Sequence, residues 1–194
     1  FDFARLDRFV DLALLRHKKF EVSHLFTQWG AEFAPAIYVT EDGERRRAWL
    51  GHPGGFPRVR GFLRQLLPAL TAFLRQQGLE GKAVFHISDE LQEHLDSYRR
   101  AKELVKPYLG DFPLYDALSD PAYYDSGLVD HPVAATDHIA PFLERQVPGL
   151  WLTTAAARGW MWATGLAMPS ARNRILGWQL HKYRLSGFLH WGTN

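Results

Sequence analysis

The chain has 194 residues, 46% of them hydrophobic, enough for one domain with a sizeable core. Its 23 Lys/Arg nearly balance 21 Asp/Glu, a net charge of +2 that argues against a nucleic-acid or membrane-surface partner, because those need a concentrated basic face. The absence of cysteine excludes disulfides, a thiol nucleophile and cysteine metal sites, no apolar run nears membrane-spanning length, and the opening "FDFARLDRF" is not a signal peptide.

Residues 4–16, "ARLDRFVDLALLR", place Leu6, Phe9, Val10, Ala13 and Leu14 on one helical stripe. "KKFEVSHLF" follows as a short strand. An excursion over about 35–51 reads as a β-hairpin turning at Asp42-Gly43, and its run Arg45-Arg46-Arg47 reads as a solvated flank rather than a phosphate patch. A second helix is expected over 58–77, stopped by Gly78, with Pro68 as a kink or break. "KAVFHISDE" is the next strand, and a helix over 91–106 is expected to end near Pro107. "FPLYDALSD" is a strand. "GLVDHPVAATD" is a poorer one because Pro132 interrupts it. A short helix in "HIAPFLERQ", a strand in "GLWLTTAAA", a helix in "ARNRILGWQLHKYRL" and a last strand in "SGFLHWGTN" complete the chain.

Strands separated by helical crossovers pair in parallel. Six such strands end on "SHLF", "SDE", "LSD", "ATD", "TTA" and "HWGTN", so polar and aromatic groups recur at the end where an α/β barrel builds its site. The competing architecture is an open doubly wound sheet, but no Gly-rich phosphate loop follows any strand. A full (β/α)8 barrel takes roughly 250 residues. Six strands in this length predict an α/β fold of the TIM-barrel type, incomplete, with about strands 3 to 8 present, forming one partial catalytic barrel over 1–194.

Asp89 and Glu90 are the first candidates for chemistry. Two close carboxylates repel when both ionise, which raises the pKa of one and keeps it protonated as a general acid. The structural alternative is that Asp89 caps the following helix. Retaining glycosidases normally face two carboxylates about 5 Å apart from different strands. An adjacent pair better suits the substrate-assisted variant, in which the sugar's 2-acetamido oxygen attacks the anomeric carbon. His86 and Ser88 share a strand face with Glu90 and read as a polar layer beneath it. On the same presumed rim lie His24, Gln28 and Trp29 in "SHLFTQWG", Asp137 and His138 in "ATDHI", and His190, Trp191 and Asn194 in "HWGTN". These groups suit sugar hydroxyls and ring stacking. The histidines lack local metal-ligand spacing, so no metal and no cofactor is assigned.

The segments "FEVSHLFTQWG", "FHISDE", "YRRAKELVKPYLGDFPLYDALSD", "ATDHIAPFLE" and "AMPSARNRILGWQLHKYRLSGFLHWGTN" resemble the glycoside hydrolase family 123-like catalytic domain, also known as domain of unknown function 4091. The resemblance covers nearly the whole chain. It implies a (β/α)8 barrel entered at the helix before the third strand and left at the eighth, a fragment truncated at both ends that would depend on the absent segments. It also implies a bacterial glycosidase of the exo-β-N-acetylgalactosaminidase kind, retaining, and working through an oxazolinium intermediate. Asp89 would then orient the acetamido group and Glu90 would be the acid/base. His24, Gln28, Trp29 and Trp191 would line the terminal-sugar pocket. Leu91 stands where the family usually has Pro. Thr153, Thr154, Ala155 and Ala156 stand where relatives commonly carry Tyr-Tyr-Cys-Cys, and threonine is too short to hold the acetamido carbonyl as a tyrosine would. Two alternatives stand beside this reading: a degenerate barrel that binds carbohydrate without turnover, and a metal-assisted barrel enzyme using the histidines.

Overall fold

The computed structural model describes residues 1–14, 19–22, 25–26, 37–49, 56–88, 94–153 and 170–189. The chain forms two compact units, Phe1–Asp89 with Glu93–Leu114, and Glu90–Gln92 with Tyr115–Asn194. Both are mixed α/β with parallel strand pairing.

The first unit opens with helix α1 (Ala4–Leu14). Of its predicted stripe, Val10 is fully buried, whereas Phe9 stays exposed and meets Phe20 edge-on at 6.0 Å. Strand β1 (Phe20–Val22) pairs in parallel with β4 (Ala83–Phe85), in the register Phe20↔Ala83. Between them in sequence lie the hairpin strands β2 (Ile37–Glu41) and β3 (Glu44–Trp49), inside the range expected for the excursion. Asp42 and Gly43 both have positive φ, 51° and 83°, as a two-residue turn matched to strand twist requires.

Helix α2 (Phe56–Gln76) buries Val59, Leu63, Leu67, Leu70 and Leu74 at helical spacing. Of the kink or break expected at Pro68, the break does not occur and the helix is continuous. Pro68 is exposed, so the backbone bond it forgoes lies on the solvent side. One turn later, Thr71 Oγ1 donates to Leu67 O at 2.8 Å. The predicted stop is correct: Gly78 takes φ 66°, Gly78 N–H donates to Arg75 O, and Leu79 N–H donates to Leu74 O. Helix α3 (Leu95–Leu109) starts later than expected and continues past Pro107, because burying Leu109 four residues after Val105 extends the apolar face by a turn.

The second unit is a four-stranded parallel sheet in the order β5 (Tyr115–Leu118), β6 (His131–Ala135), β7 (Trp151–Thr153), β8 (Gly187–Leu189). Helices α4 (Ala122–Asp125), α5 (Ala140–Glu144) and α6 (Ser170–Lys182) lie in the crossovers. β6 is a full member of this sheet despite Pro132. The proline sits in the first part of the strand, which pairs only with β5, while pairing to β7 begins at Val133. Tyr115, His131 and Trp151 form an aromatic cluster at the amino ends of these strands, with centroids 4.5 and 4.9 Å from Tyr115. Among the described residues the strands form three sheets and no closed barrel.

Candidate active site

Strand β4 is hydrogen-bonded on both sides. His86 N–H donates to Val22 O and Phe85 N–H donates to Pro113 O, each at 3.0 Å. The ladder persists past the formal end of β4, since Leu25 N–H donates to His86 O and Phe26 N–H to Ile87 O, again at 3.0 Å. Ile87 and Ser88 are fully buried. The backbone leading to Asp89 and Glu90 is therefore hydrogen-bonded through Ile87 and buried through Ser88. Such anchoring is what a catalytic group needs, because small displacements are costly to rate.

His86 is buried, and its Nε2 lies 3.4 Å from Oε1 of the half-exposed Glu21 on β1. Glu21 pairs with Val84 in register, so pleating puts Glu21, Val84 and His86 on one face of the strand pair. His86 thus has a carboxylate neighbour that sequence alone did not indicate.

In the second unit, Asp137 and His138 sit in a 3₁₀ turn, Thr136–His138, at the carboxyl end of β6. Both are exposed, with Asp137 Oδ1 3.0 Å from His138 Nδ1. A carboxylate in that position favours the tautomer protonated on Nδ1 and leaves Nε2 to accept from a hydroxyl. Helix α5 has Ile139, not Asp137, in its N-cap position. His94 is the N-cap of α3. Asp120 does act locally, since its Oδ1 accepts from Ala122 N–H at 2.8 Å at the start of α4.

Thr153 is buried at the end of β7, and its carbonyl accepts from Thr136 Oγ1 at 2.9 Å, tying the carboxyl ends of β6 and β7 together. Asp116, at the centre of β5, is fully buried and was missed by the sequence reading. The only signal was a carboxylate flanked by apolar residues in "LYDAL", where a strand interior disfavours charge unless it is partnered. Asp89, Glu90, His24, Gln28, Trp29, Thr154, His190, Trp191 and Asn194 lie outside the described residues. Among the described residues, no group of three or more His, Asp or Glu side chains is placed to hold a metal ion.

The described residues define a mixed α/β protein with parallel strand pairing, in which the candidates Asp137 and His138 follow the carboxyl end of β6. Residues 1–194 match the family model described as glycoside hydrolase 123, catalytic domain, and the chain belongs to that family. Among solved structures it is similar to a family 123 glycoside hydrolase from Clostridium perfringens, whose structure was analysed for glycolipid glycan hydrolysis, with a TM-score of 0.70 at 12% identity. The likeness covers 99% of this chain and 35% of that one, so the chain spans about a third of its neighbour's length. No curated relative matches the sequence.

Proposed function

We propose that this chain carries the catalytic machinery of a retaining exo-β-N-acetylhexosaminidase, β-N-acetylgalactosaminidase-like, acting by substrate assistance. The observation that carries the reading is the family match over residues 1–194, which includes an adjacent Asp89-Glu90 pair separated by three residues from strand β4, whose hydrogen-bond ladder continues to Ile87. The six parallel strands are then strands 3 to 8 of an incomplete (β/α)8 barrel. In the first step Asp89 holds the acetamido N–H, and the acetamido oxygen attacks the anomeric carbon. The carboxylic acid of Glu90 gives its proton to the departing glycosidic oxygen. In the second step the Glu90 carboxylate takes a proton from water, which opens the oxazolinium ring. Two displacements at one carbon return the original anomeric configuration.

His24, Gln28, Trp29 and Trp191 are assigned to the terminal sugar, and His86, Asp137, His138, His190 and Asn194 to hydroxyl contacts or their support. The natural substrate class is a glycan ending in a 2-acetamido sugar, such as that of a glycolipid. A second reading, a barrel that binds the sugar without turnover, is favoured by Thr153, a buried short residue whose carbonyl is engaged by Thr136.

Hydrolysis of an aryl β-N-acetylgalactosaminide, compared with the N-acetylglucosaminide and the unacetylated galactoside, tests the assignment. Turnover of an acetamido sugar that Glu90→Gln abolishes supports the glycosidase. Binding without turnover supports the second reading.

A further inference from the structure

The hairpin with the run Arg45-Arg46-Arg47 belongs to the connection from β1 to α2, and so leaves the carboxyl end of β1. Asp89 leaves the carboxyl end of β4, the parallel partner of β1. Both connections therefore depart from the same edge of one strand pair, the edge at which α/β enzymes build their sites.

Register sorts the hairpin's charges onto two faces. Tyr38 pairs with Arg47 and Thr40 with Arg45, while Val39 pairs with Arg46 and Glu41 with Glu44. Paired residues share a face and alternate residues change face. One face thus holds Val39, Glu41, Glu44 and Arg46, with Arg46 bonded to Glu41. The other holds Tyr38, Thr40, Arg45 and Arg47, all four exposed. That face has two guanidiniums and no carboxylate. The Arg45 guanidinium carbon lies 4.4 Å over the ring of half-exposed Tyr38, a stacking that pre-orients its donor fork. Among the described residues, neither Arg45 nor Arg47 is ion-paired.

We infer that this face binds an anionic group, a sulfate ester or a carboxylate, on a sugar beyond the terminal acetamido residue. Arginine forks match both anions with two parallel N–H···O bonds, and the Thr40 and Tyr38 hydroxyls suit the neighbouring sugar hydroxyls. The inference rests on the glycosidase reading, since it places the anion on that enzyme's glycan. It also gives the arginine run a role that a merely solvated hairpin flank lacks.

The test measures Kd of the full chain for three trisaccharides ending in β-linked N-acetylgalactosamine: one neutral, one sulfated and one carrying a uronate on the adjoining sugar. The neutral glycan is expected to bind about tenfold more weakly than an anionic one, the scale of two exposed charge contacts. Added salt should erode the difference. Arg45→Gln with Arg47→Gln should remove the preference, and Arg46→Gln on the opposite face should keep it. A preference for one anion alone names the group. Equal affinity for all three glycans, or a preference surviving the double substitution, overturns the inference. Cleavage of the same glycans is scored separately. Preferential binding with no cleavage leaves the anion site standing and removes the glycosidase reading, and cleavage without preference does the reverse.

Discussion

The indole of Trp151 lies against the backbone of Gly187, its register partner across β7 and β8, so closely that a Cβ on Gly187 would fall 2.3 Å from the ring. No real side chain tolerates that distance. The glycine is what allows Trp151 to close the aromatic cluster with Tyr115 while β8 stays paired. Gly187→Ala is expected to lower stability by about 1–3 kcal/mol, the scale of overpacking in a fitted interior. Replacing Trp151 by Leu in that background should recover part of the loss. A double-mutant cycle by denaturant unfolding reads the coupling, and strict additivity would show that the two residues act separately.

Two helix ends use side chains where glycine is preferred. Gln146 after α5 and Arg184 after α6 have φ of 52° and 53°, and each sits in the hydrogen-bond pattern that Gly78 completes after α2. The left-handed conformation costs an L-residue roughly 1–2 kcal/mol, partly offset by the entropy a glycine loses on folding. Gln146→Gly and Arg184→Gly should therefore each stabilise by about 0.5–1 kcal/mol in thermal unfolding.

Burial pushes the Tyr115 phenol above its ordinary value of 10.0. The fold thus favours the neutral ring. Below pH 10.0 both states are neutral and nothing is lost, whereas above it the unfolded chain ionises first and stability falls with rising pH. Thermal midpoints followed from neutral to alkaline pH should fall less steeply in Tyr115→Phe than in the parent chain.

Thr136→Val keeps the shape of the side chain and removes the donor that reaches Thr153 O. A hydrogen bond between buried groups contributes about 1 kcal/mol net, so this variant should lose stability on that scale by chemical denaturation. Thr136→Ser, which keeps the hydroxyl, should lose less.

Much of this organisation was legible because it is local. The leucine spacing of α2, its glycine stop, the Asp42-Gly43 turn and the alternation of strands with helices depend only on near neighbours in sequence. Pro68 does not break its helix and Pro132 does not exclude β6 from the sheet for reasons the sequence does not contain: Pro68 is exposed, and Pro132 occupies the part of β6 paired on one side only. Exposure and strand order are tertiary properties. The candidate site divides the same way. Asp89 and Glu90 were readable because they are adjacent. The approach of Glu21 to His86 follows from the β1–β4 register, and the sorting of Arg45 and Arg47 from Arg46 follows from the hairpin register. Asp116 was passed over because a single carboxylate in an apolar run has no period to betray it.

The central claim is that the substrate's own acetamide is the nucleophile, with Asp89 orienting it and Glu90 transferring the proton. The most direct measurement is kcat/KM for aryl β-glycosides of galactosamine bearing acetyl, monofluoroacetyl, difluoroacetyl and trifluoroacetyl groups. Fluorine withdraws electrons from the carbonyl oxygen without changing the sugar's shape much, so attack by that oxygen must slow along the series. The account predicts a steep, monotonic fall across the four substrates. A flat series, or comparable turnover of the unacylated amine, would contradict it.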